Sequence, residues 1–338
     1  MSAHQTFSAR DAVELAVVER SGFVESRHIG SAVVIDPAGD VRTALGDVDT
    51  PIFTRSSLKP LQALAALRAG APLTGVQLAL ATASHRAQQK HVDVVASMLA
   101  GAGLSEDDLQ CPADLPGNAE ARNAVIRAGG ETRRIYYNCS GKHAAFLWAC
   151  AVNGWDTGSY LDPANPIQRL VADVTAEYAG APAAAVGVDG CGAPVLALPL
   201  TGLARAISAV AVADEASGMV AAVMHDPWAI AGDGEPNSVV IERLGILAKG
   251  GAEGVMVMAA PDGTTVALKC LDGSARATTL AGLTLLARTG AVDADAVRSV
   301  LNETEMPVLG RGQKVGAVRP GSGLTGTSGA PEGSSRDS

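Results

Sequence analysis

Aromatic residues make up only 3% of this 338-residue chain. A core must therefore be filled by Ala, Val and Leu, and a hydrophobic content of 47% is enough to build a sizeable one. Positive charge is also scarce: 26 Lys and Arg stand against 35 Asp and Glu, for a net charge of −9, and no basic cluster stands out. Binding to a phosphate backbone needs a positive footprint, so nucleic acid is excluded as a partner class. No apolar run approaches the roughly 20 residues that span a bilayer. The first residues, Met1 to Val13, lack the basic stretch and apolar core of a secretory signal. The expectation is a cytoplasmic protein without a membrane partner. The five cysteines are odd in number and widely spaced, which argues against a disulfide framework and leaves metal ligation or core packing.

Read in order, the chain places strand signals near both ends. Glu14 to Arg20 and Gly30 to Ile35 are Val-rich runs, and Val41 to Leu45 is a hairpin partner across the turn Pro37 to Asp40. Helical spacing follows over Leu61–Ala69, Gln88–Ala102, Asn118–Ala128, Ala144–Val152, Pro166–Tyr178, Leu200–Val210 and Asp214–Met224. Val76 to Ala83 fits strand or helix equally. Val186 to Pro194 reads as a Gly-rich turn. The period then changes: Gly254–Ala260 and Thr264–Cys270 read as a hairpin closed by Pro261-Asp262-Gly263, followed by helices over Ala277–Arg288 and Ala294–Leu301. Gly, Ser, Thr and Pro dominate from Gly321 to Ser338, which predicts a disordered tail after one domain over residues 1–320. The fold class this pattern predicts is α+β, with an antiparallel sheet drawn from both chain ends around a helical lobe.

Five stretches carry reactive side chains beside small residues. Ser56 and Lys59 form Ser-x-x-Lys at the start of a helix; residues three apart share a helical face, and a desolvated lysine can take a serine proton. Ser84-His85 follows an apolar run. Cys139-Ser140-Gly141-Lys142-His143 reads as a loop before a helix. Asp189-Gly190-Cys191-Gly192 lies in the second Gly-rich turn. Lys249-Gly250-Gly251 precedes the last hairpin, where Lys249 is either a pocket lysine or a surface one. Cys139 and Cys191 are either zinc thiolates, with Lys142 three residues after the first, or small buried hydrophobes. A Ser-x-x-Lys helix between a terminal-strand sheet and a helical lobe is the arrangement of serine β-lactamases and glutaminases, a likeness of fold alone.

Together these stretches resemble the Rhizobium etli-type, or class 3, L-asparaginases, also called the asparaginase II family. The likeness runs from Val18-Glu19-Arg20-Ser21-Gly22 through Arg55-Ser56-Ser57-Leu58-Lys59-Pro60, Ala83-Ser84-His85 and Asn138 to His143. It continues through Asp189 to Pro194, Thr201 to Arg205 and Lys249 to Val255. The resemblance implies a β-lactamase-like fold and hydrolysis of L-asparagine to aspartate and ammonia by a homodimer. It implies two Ser–Lys pairs, Ser56 with Lys59 and Ser84 with Lys249, with Ser56 the nucleophile. It also implies zinc on Cys139, Lys142 and Cys191. Substrate contacts are expected from Arg55, whose guanidinium suits a carboxylate, and from Asp189 and His143.

Two departures from the family pattern stand out. After the second serine the family reads Ser-His-Ser-Gly-Glu, whereas this chain has Ser84-His85-Arg86-Ala87-Gln88. Where the family reads Ala-Gly-x-Gly-Arg, this chain has Ala231-Gly232-Asp233-Gly234-Glu235. Altered charge in a pocket bears on substrate choice, so two other readings stay open: a hydrolase of another small amide or ester, and a weakened protein that binds an amino acid without turning it over.

Overall fold

The computed structural model describes residues 5–325. Three strands open the chain: β1 (Val13–Arg20), β2 (Phe23–Ile35) and β3 (Val41–Leu45). After the two-residue β4 (Ile52–Phe53) come α1 (Lys59–Arg68), α2 (Val76–Ala81), α3 (Gln89–Gly101), α4 (Ala119–Arg127), α5 (Ser140–Asn153) and α6 (Pro166–Ala179). A short hairpin, β5 (Ala185–Val188) and β6 (Pro194–Leu198), leads into α7 (Leu200–Val212), α8 (Ser217–His225) and α9 (Pro236–Leu244). The chain closes with β7 (Leu247–Gly251), β8 (Val255–Ala259), β9 (Thr265–Cys270), α10 (Thr278–Ala287), α11 (Ala294–Glu303), β10 (Val308–Gly310), β11 (Gln313–Pro320) and α12 (Ser322–Thr325).

The large sheet is antiparallel throughout and runs β10-β11-β1-β2-β9-β8-β7. Strands from both chain ends are interleaved, as the sequence pattern predicts. The long β2 makes this possible. Its first half pairs with β1, its second half pairs with β3 on the same edge, and β9 covers its other edge from Gly30 to Ile35. The α+β class is therefore observed.

Every residue of β8 and β9 is buried, so both faces of the sheet centre are covered. The helices packed against these strands are α7 and α10. Gly282 of α10 sits against Met258 and Leu268, where a Cβ would stand 3.0 Å from the Met258 sulfur. With few aromatics, this close approach of helix to sheet is how the Ala, Val and Leu core fills its space.

The helical lobe centres on α5, buried at each position from Ser140 to Cys150. A helix apolar on all sides belongs inside a protein, and α1, α2, α3 and α6 pack around it. Truncating its Phe146 to Ala would cost about 3–5 kcal/mol. No single helix among the described residues is long and apolar enough to cross a membrane; α7 with the following helical segment passes that test only across a 74° bend.

Several local expectations differ from the structure. Cys139 to His143 is not a loop: Cys139 is the N-cap of α5 and the next four residues are its first turn. Of the expected turn at Val186–Pro194, the first three residues lie in β5 and Pro194 opens β6, so that only 189–193 form the turn; β5 and β6 with β4 form a second, three-stranded sheet. Val76–Ala83 is helix, not strand, for its first six residues. Of the expected tail, Gly321 is buried, Ser322–Thr325 forms α12 with Leu324 fully buried, and 326–338 lies outside the described residues.

Candidate active site

The serine motif sits where sheet meets lobe. Arg55 to Leu58 form one 3-10 turn before α1, and this turn lies against β7. Gly251 permits the contact. A Cβ built there would stand 3.1 Å from the Thr54 carbonyl oxygen and 3.2 Å from the Ser56 amide nitrogen. Three non-glycine residues beside the motifs take left-handed backbone: Arg55 at φ 50°, Ala87 at φ 51° and Glu253 at φ 59°. Such conformations cost about 1–3 kcal/mol each and survive where the surroundings fix them.

Ser84 follows α2 in an extended segment whose successive amides point to opposite neighbours. The Ser84 and Arg86 amides donate to the Ile230 and Ala231 carbonyls at 2.8 and 2.9 Å, and the His85 amide donates to Asn138 at 2.9 Å. His85 is thereby turned inward. Its Nε2 lies 2.9 Å from the Ser140 hydroxyl and its Nδ1 accepts the Ala87 amide. Accepting at Nδ1 makes it a neutral imidazole with the proton on Nε2, and burial holds its pKa well below 6.5. This histidine braces the Ser84 segment against the first turn of α5.

Both motif lysines reach Ser84. Lys59 Nζ lies 2.9 Å from Ser84 Oγ and also donates to the Ala83 carbonyl. Lys249 Nζ lies 2.9 Å from the same oxygen and 2.6 Å from the Gly250 carbonyl. Ser84 and Lys249 are joined by a hydrogen bond; Ser56 and Lys59 share none, the Lys59 amine bonding Ser84 and Ala83. Among the described residues the Ser56 hydroxyl has no protein hydrogen-bond partner. Burial lowers the Lys59 pKa to about 8, with the Lys142 charge adding to the fall and the Cys139, Cys191 and Asp189 groups opposing it. Lys249 is held well below 10.5, first by burial and then by the charge on Lys59. Two amines beside one hydroxyl cannot both stay charged at low cost.

Next to this centre lies a second cluster. Ligand atoms of Cys139, His143 and Cys191 all fall within 4.8 Å of one another. Lys142 Nζ lies 3.3 Å from Cys191 Sγ. The Cys191 thiol is strongly acidified, chiefly by its hydrogen bond with Cys139 and then by the Lys142 charge, while burial pushes Cys139 up. Burial opposes the charge on Lys142, but Cys191, Cys139 and Asp189 together raise its pKa. His143 Nδ1 lies 2.7 Å from the Tyr160 hydroxyl, and its Nε2 is buried without a hydrogen-bond partner among the described residues. The other cysteines, Cys111, Cys150 and Cys270, are buried and unpaired.

Ser56 and Ser84 open onto a cavity of about 480 Å³ whose lining includes Arg86, Asn138, Glu235 and Asn237. Arg55, Asp189 and His143, expected at the substrate, are not in that lining. Arg55 Nε is paired with Asp189 at 2.8 Å and lines a separate cavity with Lys269 and Phe53. Of the charged residues that line the serine cavity, Arg86 and Glu235 were visible in the sequence only as departures from a pattern, and Arg276 and Glu305 carried no signal there.

Residues 16–320 match the family model described as L-asparaginase II. The chain belongs to the L-asparaginase II family. No curated protein matches it. Membership makes this L-asparaginase II family protein a hydrolase of amide C–N bonds of asparaginase type, with asparagine as the substrate the family implies. The matched stretch contains every residue of both clusters described above.

Proposed function

We propose that the protein is an L-asparagine amidohydrolase of β-lactamase-like type. In this reading Ser84 is the nucleophile and Lys59 and Lys249 are its proton partners. The observation that carries this is the convergence of the two buried amines on one hydroxyl, each at 2.9 Å. Lys249, whose pKa burial and the Lys59 charge hold well below 10.5, is taken as the base. In that state the contact runs from the Ser84 O–H to Lys249 Nζ. Lys59, with a pKa of about 8, keeps its proton at neutral pH and stabilises the alkoxide as it forms.

Ser84 Oγ attacks the side-chain amide carbon of asparagine, the C–N bond breaks, and the proton held by Lys249 leaves with ammonia. Water then attacks the aspartyl ester, Lys249 takes its proton, and Ser84 is regenerated. The oxyanion needs donors other than the Ser84 amide, which is committed to Ile230. The Ser56 amide, at the opening of the 3-10 turn, has no backbone acceptor among the described residues, and Ser56 is part of the cavity lining. Ser56 thus acts as an oxyanion and substrate donor in this reading, not as the attacking group.

The donor set beside the serines fits zinc: two thiols, one of them acidified, and an imidazole nitrogen with no other partner, with the Lys142 amine as a further donor. Cys139, Cys191, His143 and Lys142 would hold it. Bound there, the ion supplies Lewis acidity and fixes the α5 turn that carries Ser140. We also place the protein in the family's homodimeric state.

The test is ammonia release from L-asparagine by purified protein. Ser84→Ala should lower kcat by at least roughly 10³-fold, and Ser56→Ala by less. Turnover of L-asparagine that survives Ser84→Ala would defeat this reading; turnover of simple esters in preference to L-asparagine would favour another hydrolase.

A further inference from the structure

The two positions at which the sequence leaves the family pattern meet. Arg86 NH2 lies 2.9 Å from a Glu235 carboxylate oxygen. Among the described residues this is the one ion pair with both members in the lining of the serine cavity. Next to it, Gln88 bonds to Asp233 through both its amide oxygen and its amide nitrogen, at 3.2 Å each. The two loops are therefore tied together behind the pair, and the pair itself faces the cavity.

Its position follows from backbone geometry. In an extended segment residues two apart share a face, about 6–7 Å apart. Ser84 and Arg86 both line the cavity, whereas His85 between them is buried against Ser140. A substrate whose amide carbon rests at Ser84 has its far end alongside Arg86. Glu235 is the N-cap residue of α9, yet its side chain makes no capping bond and serves Arg86 instead. Arg55 is bound to Asp189 and lines another cavity, and Arg276, which also lines the serine cavity, is not on the extended segment that carries Ser84 and Arg86.

The geometry points to Arg86 and Glu235 as the pair that reads the backbone end of the substrate, Arg86 receiving the α-carboxylate and Glu235 the α-ammonium. This deepens the proposed reaction and rests on it for the placement of the amide at Ser84. An ion pair that opens to take a zwitterion exchanges one set of charge-assisted bonds for two. A ligand lacking either charge leaves one member unpaired and is rejected. Arg86 and Glu235 are then specificity-determining residues.

The experiment uses three amides: L-asparagine, succinamate, which lacks the α-ammonium, and 3-aminopropanamide, which lacks the α-carboxylate. Kd values are read by calorimetry in the Ser84→Ala background, where no turnover is needed. Absent ammonia release by the wild type would count against the proposed reaction and leave this measurement standing. L-asparagine should bind at least roughly tenfold tighter than either analogue. Adding Glu235→Gln should erase its advantage over succinamate and keep that over 3-aminopropanamide; adding Arg86→Gln should do the reverse. A merely structural pair would weaken all three ligands by one factor. That result, unchanged Kd values, or no binding of L-asparagine at all would overturn the assignment.

Discussion

Lys59 and Lys249 come from opposite ends of the chain and meet at one oxygen, the Ser84 hydroxyl, 2.9 Å from each amine. Lys59 lies at the start of α1 in the helical lobe and Lys249 on β7 at the sheet edge. The fold is what brings them together, and it does so at an energetic cost.

That cost is measurable. A buried lysine with a folded pKa below 10.5 binds fewer protons folded than unfolded. Stability therefore rises with pH from the depressed pKa up to about 10.5, and is lost on the acid side of that window. Lys249 is such a group. Lys249→Met should abolish turnover and raise Tm at neutral pH by roughly 2–6 °C. Calorimetry on both proteins checks this, and a lowered Tm would mean that the amine holds the strand in place instead.

The same pair sets a pH profile. The working state has Lys249 neutral and Lys59 charged. As pH rises through about 8, Lys59 loses its proton, and kcat/KM should fall. On the acid side activity should fall as Lys249 gains one. Steady-state rates of ammonia release across the range give the two limbs; no fall above about pH 8 would show that Lys59 works uncharged.

The thiol cluster predicts metal. Protein purified without chelator should carry about one zinc per chain by elemental mass spectrometry. Cys139→Ser and Cys191→Ser should reduce it below about a tenth. His143→Ala should weaken retention against a chelator, because the buried Nε2 has no other partner. Zinc content unaffected by all three would place the ion elsewhere.

Much of this was legible in the residues. Alternation and turn chemistry found the terminal strands, and the motif stretches named the groups that cluster. The partner of Lys59 was not legible. Spacing of i, i+3 puts Ser56 and Lys59 on one face in a 3-10 turn as in an α-helix, but it cannot show that the loop carrying Ala83 and Ser84 supplies acceptors for the amine from 24 and 25 residues away. The first turn of α5 was hidden because Ser140-Gly141-Lys142-His143 is polar, although all four side chains or backbones are buried. Gly141 is needed there because a Cβ would stand 2.5 Å from the Leu80 carbonyl oxygen. The Arg86–Glu235 contact joins loops 149 residues apart, and only the fold could place them side by side.

The account depends most on which hydroxyl attacks. A diazomethyl ketone analogue of L-asparagine alkylates the attacking nucleophile and leaves a stable mark. After digestion and mass spectrometry the label should lie on the peptide carrying Ser84, and Ser84→Ala should abolish it. Label on Ser56, with Ser84 unmodified, would contradict the account.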